Sequence, residues 1–71
     1  MNANLESELL AAHESRDVDA IISLYAVAAE RSEDSEREAF FLTHAWVFAL
    51  EAGDPRAPEF HRRLRELGRA D

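Results

Sequence analysis

Seventy-one residues make one domain, and a chain of this size buries only about 60% of the surface its unfolded form exposes. Leu, Ile, Val and Phe number 17, too many for a disordered tail, and the absence of cysteine excludes both a disulfide framework and a thiolate metal site. The net charge of −7 is unevenly placed: residues 1–54 carry twelve acids against three arginines, and residues 55–71 carry five arginines against three acids.

Four helices fit the apolar spacing, with no alternating strand pattern. The first is predicted over about residues 4–15, starting after Asn4, with Leu5, Leu9, Ala12 and His13 along one side and Leu10 beside them. Glu6 and Glu8 fall in its first turns, where negative charge suits the helix dipole. The second, over about 18–32, is capped by Asp17 and carries Val18, Ile21, Ile22, Tyr25, Ala28 and Ala29 at helical spacing. The charged stretch Glu30-Arg31-Ser32-Glu33-Asp34 then breaks the pattern. Ser35-Glu36-Arg37-Glu38 reads as a capping box, with Ser35 reaching forward and Glu38 reaching back.

The third helix runs from there to Ala52 and is stopped by Gly53. Its stretch from Ala39 to Leu50 is apolar nearly all the way round, so it must be covered on more than one side. That stretch is also too short to span a bilayer, which takes roughly 20 apolar residues. Asp54-Pro55 restarts the chain, with the true start of the fourth helix nearer Ala57 because Pro58 lies one turn in. This helix shows Ala57, Phe60, Leu64 and Leu67 as one narrow stripe, pairs Glu59 with Arg63 and Arg62 with Glu66 on its wet face, and ends at Gly68. Short connections make sequential helices antiparallel neighbours. The expected architecture is all-α: four short helices in two antiparallel hairpins, with the third helix central.

Asp17 and Asp54 each open a helix after a tight turn, 37 residues apart, a period of the kind helical repeats show. The segment from Arg16 to Glu30 resembles the turn and second helix of a tetratricopeptide repeat, with Asp17, Tyr25 and Ala28 on that family's aspartate, aromatic and small-residue positions. Trp46, Ala49 and the Gly53-Asp54 turn resemble a second unit. Arg16 stands in place of the turn glycine, Leu9 in place of a small residue and Pro58 in place of the second unit's small helix residue. The resemblance implies stacked helix pairs and favours protein binding over catalysis.

The motifs of catalysis and of metal or cofactor binding are missing. His13, His44 and His61 lie on three different predicted helices with no H-E-x-x-H or C-x-x-C spacing, so His44 is not expected to ligate a metal. Ser7, Ser15, Ser23, Ser32 and Ser35 sit on helix faces or caps without a nucleophile elbow. The acidic cluster Glu30, Glu33, Asp34, Glu36 and Glu38 lacks calcium-loop spacing, and two glycines cannot build a phosphate loop. No catalytic, metal or cofactor residue is expected. An acidic body repels phosphate backbones, so nucleic acid is not an expected partner. Arg62, Arg63, Arg65 and Arg69 form a candidate basic face for a protein partner, or simply a solvated helix face. The start of the chain, Met1-Asn2-Ala3-Asn4-Leu5-Glu6, does not read as a signal peptide, and the expected location is cytoplasmic.

At 100° per residue the third helix has a wide apolar arc of Phe41, Leu42, Ala45, Trp46, Phe48, Ala49 and Leu50, with Trp46 expected to touch helices two and four. Phe40 and Val47 fall in the opposite arc, among Glu36, Arg37, Thr43, His44 and Glu51. Two readings stay open for this strip: helix one folds over it, or it meets another chain. The candidate contact residues are Phe40, Thr43, His44, Val47 and Glu51, and a homodimer is the expected assembly. The alternative is a small ligand-binding or regulatory domain with a pocket near Tyr25, His44 and Trp46.

Overall fold

A computed structural model describes residues 2–69, with side chains from Leu5 onward. It contains α1 (Asn2–Ser15), α2 (Val18–Glu30), α3 (Ser35–Ala52) and α4 (Ala57–Glu66), and no strand among the described residues. Each helix packs on its neighbours in chain order: α1 on α2, α2 on α3 and α3 on α4. The result is two helical hairpins side by side, whose Cα atoms fill a slab of 32 × 28 × 12 Å. Both inner helices, α2 and α3, have two neighbours, so the central place expected for α3 is shared with α2.

The core between α2, α3 and α4 is built from few large side chains. Ile22, Leu42, Phe60 and Leu64 interlock with Ala29, Ala39, Ala45, Ala49 and Ala57, and Ile22, Leu42 and Leu64 are fully enclosed. Alanines on facing helices let the backbones approach, so close packing replaces the bulk a larger core would supply. No described side chain of α1 enters this cluster. Among the described side chains Ala12 is the buried residue of α1, and Ile21 and Ala28 are the buried residues of α2 outside the main cluster.

Three helices end in the same way. After α1, Arg16 takes a left-handed φ of 58°, its N–H donates to the His13 carbonyl, and the Asp17 N–H donates to the Ala12 carbonyl. After α3, Gly53 at φ 67° sends its N–H to Leu50, and the Asp54 N–H goes to Ala49. Gly68, at φ 75°, repeats the pattern with Arg65 and Leu64. These are Schellman closures, which satisfy the last carbonyls of a helix and favour glycine at the left-handed residue. Arg16 is the one such position here with a side chain.

Several helix boundaries differ from the sequence expectation. α1 starts at Asn2 rather than after Asn4, which moves Glu6 and Glu8 beyond its first turn. α2 stops at Glu30 rather than residue 32, because the Ser32 hydroxyl takes the Ala28 carbonyl while the Ser32 N–H closes on Ala29. The cap of α3 is Asp34, whose carboxylate accepts from the Arg37 N–H at 2.7 Å. Ser35 is the first helical residue instead of the cap, since a carboxylate is the stronger acceptor for a charge-assisted cap.

Asp54 does not cap α4 directly. It accepts from the backbone and side chain of Arg56, and α4 begins at Ala57. Arg56 in turn donates to Ser23 at 2.9 Å and Asp19 at 2.8 Å, both on α2. The guanidinium thus fastens the start of α4 to the start of α2 across the top of α3.

Two tests follow from this framework. A side chain in the left-handed region costs roughly 1–2 kcal/mol, so Arg16→Gly should raise stability by about 0.5–1 kcal/mol after glycine's larger entropy loss. The melting temperature should rise by a few degrees, and an unchanged or lowered value overturns the assignment of strain. Asp54 is held down to about 2, first by the Arg56 side-chain hydrogen bond and then by the Arg56 N–H. A depressed carboxylate stabilises the fold above its unfolded value, about 4, and loses that contribution as pH falls through its folded value. Asp54→Asn should therefore flatten the fall of melting temperature between about pH 4 and pH 2. A variant profile parallel to wild type over that window contradicts the clasp.

Candidate interaction surface

α3 distributes its side chains over three directions. Toward the core go Leu42, Ala45 and Ala49. Toward α2 go Phe41, His44 and Phe48, whose rings lie 6.3, 5.0 and 6.0 Å from Tyr25. Toward α4 goes Trp46, stacked on His61 at 4.7 Å and 9° between planes, with Glu38 3.6 Å from Arg63 on the same side.

The arc between those two flanks points away from the core, and Phe40, Val47 and Leu50 lie on it. They are 57%, 41% and 55% exposed. α1 does not cover them: it packs on α2 and meets α3 through His13, whose ring lies 5.7 Å from Phe48. Of the alternatives the sequence leaves open for this strip, the fold within one chain excludes cover by α1.

Leu50 is the residue sequence reasoning placed on the wrong side. Its wheel position borders the apolar arc, but α4 approaches α3 through the smaller Ala49 and through Trp46, which leaves Leu50 outside. Thr43 and Glu51 are exposed and His44 is half-buried. Thr43 donates its hydroxyl to the Ala39 carbonyl at 2.8 Å, and His44 donates its Nδ1–H to the Phe40 carbonyl at 2.9 Å. Both polar groups are thus turned back onto their own helix, as threonine does mid-helix. His44 is further held between Tyr25 and Phe40, at 5.0 and 4.5 Å between centroids.

Phe40, Thr43, Val47 and Leu50 consequently line up at spacings of three, four and three. That is the seam period of helices packing along their length. The sequence signal for it was the Phe40/Val47 pair seven apart, and Leu50 completes it.

Tyr25, His44 and Trp46 do not share a pocket. Tyr25 and His44 stack on the α2 side, whereas Trp46 lies on the α4 side. Trp46, expected in the core between helices two and four, is half-buried at the edge of the core and its ring stacks on His61 of α4. A cavity of about 660 Å³ opens between α1 and the α2–α3 connection, lined by Leu5, Leu9, Arg31, Arg37 and Phe41 among others, none of them the expected three.

Half of the basic face is committed within the chain. Arg62 bridges Glu59 and Glu66, and Arg63 faces Glu38 of α3 instead of Glu59. Arg65 and Arg69 are exposed. Glu59 is held below its usual range by the Arg62 hydrogen bond. Among the described residues no group of three His, Cys, Asp or Glu side chains is placed to hold a metal ion. No helix there is long and apolar enough to cross a membrane. The chain matches no protein-family model, no curated protein and no solved structure.

Trp46→Ala removes the contact with His61 and the cover on the α4 side of the core. Because Trp46 is half-buried, the loss should be about 3 kcal/mol, the low end for tryptophan truncation. That is a large share of the stability of so small a domain. A melt within two degrees of wild type contradicts this role.

Proposed function

We propose that this chain is a small, non-catalytic protein-interaction module, and that it associates with itself through the outward strip of α3. A single observation carries the reading. Five large apolar side chains stand exposed among the described residues, and three of them, Phe40, Val47 and Leu50, form one line on one helix. Scattered exposed apolar residues are ordinary, but an aligned set bordered by polar groups marks a contact surface.

The 37-residue recurrence supports the comparison with helical repeats. The closures at Ala12–Asp17 and Ala49–Asp54 make the same pair of hydrogen bonds, which supports that comparison. Repeat units gain stability by stacking, and two leave faces without a neighbour. A cytoplasmic setting, a protein partner and the absence of nucleic-acid, membrane or small-molecule ligands belong to the same proposal.

Sedimentation equilibrium tests it. Wild type should be dimeric at high micromolar concentration, and Phe40→Asp should be monomeric with unchanged helical circular dichroism. A wild-type monomer at several hundred micromolar overturns self-association, and Phe40→Asp remaining dimeric overturns the assignment to α3.

A further inference from the structure

The α3 strip carries its own instructions for how a second copy docks, an inference that rests on the self-association proposed above. We infer that two copies of α3 pack antiparallel about a two-fold axis level with Ala45, Phe40 of each facing Leu50 of the other and Thr43 facing Val47.

The register comes from three observations. First, Phe40, Thr43, Val47 and Leu50 keep a three-four-three spacing, which holds a straight seam against a partner helix. The run is nearly symmetric in bulk: large residues stand at its two ends, and Thr43 and Val47, both β-branched, stand at its middle. An antiparallel pairing matches large with large at the ends and branched with branched at the axis. Thr43 can sit there because its hydroxyl is already bonded to the Ala39 carbonyl, so the seam buries its methyl group rather than an unpaired donor.

Second, the strip is a ridge. α2 lies against the side bearing Phe41, His44 and Phe48, and α4 against the side bearing Trp46. Neither neighbour stands in the path of a second helix laid along Phe40, Val47 and Leu50, all more than two-fifths exposed.

Third, the charges beside the seam are self-complementary. Arg37 and Glu51 lie on the flank of His44, seven residues to either side of it, and both are exposed. Arg37 forms no ion pair among the described residues. In the antiparallel register, Arg37 of one copy falls within about two residues, some 3 Å, of the level of Glu51 of the other. The two-fold axis generates this pair twice. In a parallel pairing the two-fold axis runs along the helices and puts the two Arg37/Glu51 flanks on opposite sides of the seam, so this pair does not form.

The chain lacks cysteine, so Ser35→Cys accepts a single spin label at the exposed start of α3. In the antiparallel dimer the two labels stand about 30 Å apart along the helices, twenty residues at about 1.5 Å each. In a parallel dimer they sit across one helix packing distance, below about 20 Å with their linkers.

Charge reversal provides a second readout. Arg37→Glu and Glu51→Arg should each weaken dimerisation about tenfold, although they change the net charge in opposite senses. The double variant, with the charge of wild type, should return to within about threefold. A wild-type monomer overturns the self-association reading itself. A dimer with labels below about 20 Å, or a double variant no tighter than the singles, overturns this register alone. Single reversals that shift affinity in opposite directions also overturn it, since they report net charge and not a pair.

Discussion

The buried face of α3 is the constraint from which the rest of the molecule follows. Leu42, Ala45 and Ala49 are wholly enclosed and belong to the cluster that joins α2 to α4. One set of small side chains therefore serves two neighbouring helices, which is possible only where both backbones come close. Three aromatic residues of α3 are pushed to the flanks by that closeness. Phe41 and Phe48 settle against Tyr25, and Trp46 settles on His61. What is left, the line of Phe40, Val47 and Leu50, has no helix of the same chain to meet. The exposed strip is a consequence of an alanine-based core.

The turns show how closely the two halves of the chain correspond and where they part. Ala12 and Ala49 are both buried and accept the same closing hydrogen bond from an aspartate N–H. In the first half Asp17 caps α2 at once, accepting from the Ala20 N–H. In the second half Pro55 and Arg56 intervene, and Asp54 engages Arg56 instead. That insertion carries the structural clasp, because Arg56 reaches across to Ser23 and Asp19. This difference between the two halves thus tightens the hairpin pair, with Arg56 reaching residues 33 and 37 positions earlier in the chain.

The existence and type of all four helices were readable from apolar spacing, and the stops at Gly53 and Gly68 from the glycines themselves. The strip was half readable, since Phe40 and Val47 stand out on a helical wheel drawn from sequence alone. Leu50 and Trp46 were not, because a wheel gives the angle of a side chain but not the direction from which a neighbour arrives. The Asp34 cap was hidden by a better-known pattern beginning one residue later at Ser35. Arg63 was assigned to Glu59 by the i,i+4 rule, whereas its partner Glu38 lies 25 residues away in the chain, where local spacing says nothing.

The place of α1 shows why the strip cannot be closed from within. Its leucines gave it enough apolar area to cover α3, yet it packs on α2. Moving α1 onto Phe40 and Val47 would uncover Ala12, Ile21 and Ala28, which are now buried, and would break the Schellman closure at Arg16-Asp17. The tight two-residue connection holds α1 beside α2, one helix removed from α3. Apolar area that the chain cannot fold over by itself remains available at its surface. A bound partner on that ridge would stabilise the folded chain by mass action, so any association through α3 would be thermodynamically linked to folding.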